Sequence, residues 1–276
     1  MFSKIHSVVK EAYLYRQGGK LKRHSHYRKD VEKVYTKGKA LSISKYSLKI
    51  PFNKGYFCAK ICGMATKIIY FVRHGETENN AKNIRQGPEG ALTEKGRAQA
   101  LATAKRFPKH KGRPQIIIAS PYERTKETAA IIAKELHMRV KYSDLLKERR
   151  NPSEVIGRSG DDPEVKAIID RIDKSYHEDK LRFSDEENFT DLKKRAKKLL
   201  NYITWRSQSR IIMVTHKIFL KMVMSYMIYG DKLTASEYNN LSYFNPIDNA
   251  GMAICTYTHH WFTKDEWKII VWNDLE

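Results

Sequence analysis

Three short, β-branched apolar runs constrain the fold of this chain most: Lys67–Val72, Gln115–Ala119 and Arg210–Thr215. None alternates polar with apolar residues, so each is expected to be buried on both faces, like a strand inside a parallel sheet. Helical signals separate them. Thr93 opens a helix through Phe107. Ser120-Pro121-Tyr122-Glu123 offers an N-cap Ser, Pro at the first helical position and a capping-box Glu, which predicts a helix from there to about Leu136. After Asp162-Pro163, the residues Val165, Ile168, Ile169 and Ile172 fall on one helical face. Leu192, Ala196, Leu199 and Ile203 do the same within about Asp191–Trp205. Lys217–Tyr229 reads as a helix closed by Gly230, and Thr234-Ala-Ser-Glu237 as another capping box. Strands around Ala250–Tyr257 and Trp267–Trp272 follow. The fold class expected is α/β: a three-layer α/β/α sandwich with a mostly parallel central sheet.

The first 65 residues differ in kind. Residues 1–66 hold 15 Lys/Arg against 3 Asp/Glu, so more than half of the chain's net charge of +21 lies in under a quarter of its 276 residues. No sustained periodicity appears there, and a poorly structured basic extension over 1–65 is expected, with the principal domain over 66–276. The extension has three readings. It could bind nucleic acid or acidic lipid, it could be a transit-like leader, or it could be a mis-called start, with the product beginning at Met64. The domain over 66–276 is itself not expected to bind nucleic acid.

The three cysteines, Cys58, Cys62 and Cys255, do not make a disulfide framework, so a reducing, cytoplasmic setting is expected. Cys58 and Cys62 lack a second pair at zinc spacing, and neither a metal nor a cofactor is expected. The longest apolar stretch, Ile211 to Tyr229, is interrupted by His216, Lys217 and Lys221, which argues against a membrane span.

In a parallel sheet, ligands bind beyond the carboxyl ends of the strands. Arg73 and His74 fall after the first run, Ser120 to Arg124 after the second and His216 after a later one. Guanidinium forks suit phosphate oxygens, and a neutral imidazole can attack phosphorus. Clustered cations should depress both imidazole pKa values. Gly75 would allow close backbone approach to a ligand. Taken singly, each of these residues has an ordinary structural explanation; their joint placement at strand ends is what points to an anion.

The stretch Phe71-Val-Arg73-His74-Gly75-Glu76-Thr77-Glu78-Asn79-Asn80 resembles the opening signature of the histidine phosphatase (phosphoglycerate mutase-like) superfamily. The resemblance continues through Gln86-Gly87, Leu92-Thr93 with Gly96, and Ser120-Pro121-Tyr122-x-Arg124-Thr125. It recurs at Leu146-x-Glu148-Arg149, Glu187 and Val214-Thr215-His216, in the family's order. It implies that His74 is the nucleophile, that Arg73, Arg124 and His216 hold the phosphoryl oxygens, and that Glu148 is the general acid/base. Gly75, Thr77, Asn80, Gln86 and Gly87 match substrate-binding positions. A plain salt bridge to Arg149 or Arg150 is the alternative for Glu148. The family commonly has a small residue after the second His; Lys217 stands here and reads as solvent-facing. The activity implied is hydrolysis of a phosphorylated small molecule or phosphoprotein. Mutase-type transfer is the alternative, disfavoured because Glu148 is followed by Arg-Arg-Asn-Pro-Ser and no proline run exists. The insertion at about 151–187 is lid-sized and charged, and Arg149, Arg150 and Arg158 read as solvent-exposed charge, with recognition of an acidic or polyphosphorylated substrate as the alternative.

Overall fold

The structure is a computed structural model that describes residues 47–52, 55–60, 66–108, 112–175, 182–260 and 263–275. In the extension, the backbones of β1 (Ser47–Phe52) and β2 (Gly55–Lys60) pair antiparallel, with Ser47 opposite Lys60. The expectations for the rest of residues 1–65, and for a metal on Cys58 and Cys62, lie outside the described residues.

From Thr66 onward the chain builds a six-stranded sheet. The strands are β3 (Thr66–Arg73), β4 (Ile116–Ala119), β5 (Val140–Tyr142), β6 (Arg210–Thr215), β7 (Met252–Thr258) and β8 (Glu266–Asp274), in the order β5-β4-β6-β3-β7-β8. The β5–β4, β4–β6 and β6–β3 pairs are parallel, and β7 and β8 add antiparallel. The three apolar runs of the sequence are thus the central strands, where both faces are covered.

The period of two along a strand sends successive residues to opposite layers. Ile69 and Phe71, Ile116 and Ile118, Ile211 and Met213 enter one core. That core is completed by α4 (Pro163–Ser175), α5 (Phe189–Thr204), α6 (Lys217–Tyr229) and α7 (Ala235–Phe244). Tyr70 and Val72, Ile117 and Ala119, Ile212 and Val214 enter the other, against α2 (Glu94–Lys105) and α3 (Glu123–Leu136). Three layers follow from that alternation.

Most caps fall where the sequence placed them. Thr93 caps α2, and Thr234 with Glu237 forms a capping box on α7. The start of α3 is a correction. Its N-cap is Tyr122, with no side-chain cap, and the helix begins at Glu123 rather than beside Ser120. The Ser120 hydroxyl accepts from the Tyr122 amide at 3.3 Å, one residue before the helix, and also lies 2.9 Å from Nε2 of His216. Two elements had no signal strong enough to be read: the short strand β5, and α1 (Glu78–Ala81), a four-residue turn boxed by Thr77 and Asn80.

Candidate active site

The carboxyl ends of β3, β4 and β6 are stitched together by the backbone. The amide of His74 donates to the Thr215 carbonyl at 3.0 Å, and that of Ser120 to Val214 at 3.0 Å. Register therefore brings His74 and His216 into contact, with ring centroids 5.2 Å apart. Arg73, the last residue of β3, and Arg124, in the first turn of α3, complete the group, and all four side chains are buried.

Each is held by one or two polar contacts and keeps a polar atom in reserve. The Nδ1–H of His74 donates to the Gly75 carbonyl at 2.8 Å, which leaves the lone pair of the neutral ring on Nε2. Arg73 donates to the Ile247 carbonyl and Arg124 to the Gly87 carbonyl, each at 2.8 Å. The Nε atoms of Arg73 and Arg124 and the Nδ1 of His216 are buried without a partner. Orphaned buried donors are rare because each costs a desolvation penalty. Three of them on adjacent residues describe a socket for an acceptor-rich anion.

Burial, reinforced by Arg124 and Arg73, holds the pKa of His74 well below the ordinary imidazole value against its hydrogen bond to Gly75. His216 is lowered in the same sense by burial first, then by Arg124 and His74. The direction matches the sequence reading, but desolvation rather than neighbouring cations is the larger cause. Burial also pulls Arg73 down to about 10, still cationic at neutral pH.

Among the described residues, Glu148 forms no ion pair with the side chain of Arg149 or Arg150. Its carboxylate accepts from the backbone amides of Arg149 (2.8 Å), Ile218 (3.1 Å) and Phe219 (2.9 Å). It thus occupies the N-terminus of α6, whose N-cap residue is His216. Its oxygens thereby satisfy amides of the first helical turn that have no partner within the helix. The Glu148 loop is in turn clamped by Arg195 of α5. That guanidinium donates to the carbonyls of Leu145 (3.2 Å), Lys147 (2.6 Å) and Glu148 (3.3 Å), pairs with Glu187 (2.5 Å) and lies 4.0 Å above the Phe219 ring.

These residues open on a cavity of about 270 Å³ lined by Arg73, His74, Asn80, Gln86, Arg124 and Glu148, together with Arg85, Arg149 and Lys217. The remaining residues named from the sequence divide. Asn80 and Gln86 line the cavity, Asn80 accepting from Asn249 at 3.2 Å. Thr77 is fully buried, caps α1 and donates to Gln86 at 3.0 Å, so it acts behind the lining. Gly75 serves packing. A Cβ there would stand 2.4 Å from the Gly96 carbonyl oxygen, and its amide already donates to Thr128 at 3.1 Å. Gly87 contributes the carbonyl that receives Arg124.

Lys217 is solvent-exposed and yet belongs to the cavity wall. Arg149, expected in solvent, is buried and lies 3.6 Å from Asp173. Arg158 matches its expectation, pairing at the surface with Asp162 and Glu164. Sequence reading missed Ser120 as the partner of His216, and Asn249, whose amide reaches the His74 carbonyl at 3.2 Å. The only signal for Asn249 was its turn-rich setting, Asp248-Asn249-Ala250-Gly251.

The profile of the histidine phosphatase superfamily, branch 1, matches residues 69–274. The chain belongs to that family. Solved structures agree on the fold. A mycobacterial glucosyl-3-phosphoglycerate phosphatase superposes with a TM-score of 0.61 at 21% identity, over 75% of this chain and 99% of that one. A putative α-ribazole-5′-phosphate phosphatase from Escherichia coli gives 0.60 at 16%, over 75% and 96%. A phosphoserine phosphatase mutant from Entamoeba histolytica, solved with phosphoserine, gives 0.58 at 23%, over 76% and 98%. No curated protein matches the chain by sequence. Among the described residues of this histidine phosphatase, no helix is long and apolar enough to cross a membrane, and no cluster of His, Cys, Asp and Glu could hold a metal.

Proposed function

We propose that this protein hydrolyses small phosphomonoesters through a phosphohistidine intermediate on His74. The observation that carries the reading is the convergence of two imidazoles, 5.2 Å apart, with two buried guanidinium groups whose spare donors face no acceptor of the protein. In the first step the Nε2 lone pair of His74 attacks phosphorus in line. The ester P–O bond breaks, and Glu148 gives its proton to the departing oxygen. In the second, water attacks the phosphohistidine, its proton passes to Glu148, the P–N bond breaks and phosphate leaves. Arg73, Arg124 and His216 hold the equatorial oxygens. If the Ser120 hydroxyl donates to Nε2 of His216, that ring's Nδ1–H is left for a phosphoryl oxygen, a tautomer consistent with its orphaned nitrogen.

The phosphatase neighbours support hydrolysis, and the buried free thiol of Cys255 suits a reducing, cytoplasmic setting. The test is a phosphomonoester panel run with chelator present. Wild type should release phosphate from some member, and His74→Ala should lose activity by about 10⁴-fold or more. Rapid quench should trap acid-labile, alkali-stable phosphate on His74. Glu148→Gln should slow turnover most for poor leaving groups; equal slowing across leaving groups contradicts the acid role. Transfer to a second hydroxyl in place of phosphate release would support the mutase alternative.

A further inference from the structure

The turn that leads into β7 is built on an unfavourable backbone. Ala250 lies in the left-handed region at φ 58°, which a residue with a Cβ adopts only where its surroundings impose it. Those surroundings are specific. The Ala250 amide donates to the His74 carbonyl at 3.1 Å, and its carbonyl accepts from the Thr103 hydroxyl of α2 at 2.9 Å. The Gly251 carbonyl accepts from the Arg73 amide at 3.1 Å. From β8, Asn273 accepts from the Asp248 amide at 2.8 Å and donates to the Asp248 carboxylate at 2.7 Å. The turn is thus fastened to the backbone of Arg73 and His74, and it presents the carboxamide of Asn249 there.

Two main-chain groups, which cannot flip, decide how that carboxamide and its neighbour point. The His74 carbonyl only accepts, so the Asn249 atom 3.2 Å away is Nδ2. The Thr77 amide only donates, so the Asn80 atom 3.4 Å from it is Oδ1. That same Nδ2 of Asn249 reaches that same Oδ1 of Asn80 at 3.2 Å. The two assignments, made independently, agree. The Asn80 oxygen is therefore engaged by two donors. Among the described residues its Nδ2 donates to no acceptor of the protein, although Asn80 lines the cavity beside His74. The free end of Asn80 is a donor.

We propose that Asn249 is a positioning residue: by occupying the Asn80 oxygen, it fixes Asn80 as a hydrogen-bond donor to the phosphoryl group held at His74. A guanidinium can only donate. An asparagine can present either end, and toward a dianion the oxygen repels. Asn249 removes that choice. The proposal rests on the phosphoryl-binding reading of the cavity, and its test is a binding measurement that needs no turnover.

Inorganic phosphate is titrated calorimetrically into the full chain and into a double-mutant cycle of Asn80→Ala and Asn249→Ala. Asn80→Ala should weaken phosphate binding about tenfold, the worth of one hydrogen bond to a charged group. Asn249→Ala should weaken it about fivefold, because most of the population then presents the Asn80 amide wrongly. In the Asn80→Ala background the same substitution should change affinity by less than about twofold, since no amide is left to orient. Asn249→Asp should bind phosphate more weakly than Asn249→Ala. Its carboxylate draws the Asn80 Nδ2 to itself and turns the oxygen toward the anion; in Asn80→Ala only the repulsion by the added charge should persist. Asn249→Ser, suited to a turn but too short to reach Asn80, repeats the cycle if alanine prevents folding. Equal losses from Asn249→Ala in both backgrounds overturn the proposal and leave Asn249 a support of the turn alone. So does an Asn249→Asp variant that binds no more weakly than Asn249→Ala. Wild type that binds no phosphate strikes the phosphoryl reading, and this assignment falls with it; binding with an additive cycle strikes the assignment alone.

Discussion

The floor of the cavity and the insertion that walls it use the same residue types to opposite ends. On the floor, Arg73, Arg124, His74 and His216 are buried at strand and helix ends, each with one or two contacts and with polar capacity left over. In the insertion, Arg158 spends itself on Asp162 and Glu164, and Arg150 on the Asp185 carbonyl at 2.6 Å, at the surface. Polar groups desolvated by the core are held rigid and left unsatisfied, which is the condition for gripping a ligand. Polar groups in water saturate one another and hold a loop. Arg195 lies between the two settings, because it joins Glu187 at the end of the insertion to the loop that presents Glu148.

Arg195→Met should produce the largest structural effect. Both side chains of its pair with Glu187 are about 15% exposed, so the substitution strands a mostly buried carboxylate and frees three carbonyls. A loss of about 2–3 kcal/mol is expected in urea melts, somewhat below the cost of breaking a fully buried pair. Because the clamped loop carries Glu148, turnover should fall for poor leaving groups more than for good ones. Loss of stability with no such dependence would make Arg195 purely structural and would place it with the insertion.

The two buried histidines sharpen the contrast through pH. Burial, then Arg124, lowers both pKa values in the folded protein, whereas the unfolded chain titrates near the ordinary imidazole value of about 6.5. The unfolded state therefore binds more protons below that pH. The stability associated with the neutral rings is fully present above about 6.5 and is lost as pH falls toward the lowered folded values. Melting temperatures should decline between about pH 7 and pH 5, and His74→Gln with His216→Gln should flatten that decline. Equal slopes in the variant and wild type would mean that the rings are protonated in the native site and cannot serve as a neutral nucleophile and its neighbour.

The same division decides what was legible in the sequence. Central strands announce themselves because burial on both faces forces runs such as Ile-Ile-Tyr-Phe-Val, and the blocks after them carried His74, Arg124 and His216 to one place. Ser120 shows where legibility ended. Its position before Pro121 satisfies every local rule for a helix cap, yet its hydroxyl reaches only the Tyr122 amide, α3 starts at Glu123, and the contact with His216 is one that no local rule foretells. Arg149, Arg150 and Arg158 look alike as sequence. Only tertiary placement makes the first a buried residue of the cavity wall and leaves the third in water. Asn249 was hidden because a turn asparagine looks the same whether or not its amide reaches across the fold, as here to the His74 carbonyl.

The smallest effect belongs to the outer wall. Arg158→Gln removes two ion pairs whose side chains are about one-third or more exposed. Such pairs each contribute roughly 0–1 kcal/mol, because solvent screens the attraction and ordering two long side chains costs entropy. Stability should change by less than about 1 kcal/mol, and the change should shrink further in high salt as the attraction is screened. The backbone link between the insertion and Arg85 uses the amide and carbonyl groups of residues 85, 157 and 158, none of which the substitution touches. Phosphate release from a phosphomonoester should therefore survive in Arg158→Gln. If it fell about tenfold or more, the surface pairs would be supporting the site, and the line drawn between floor and wall would have to move outward.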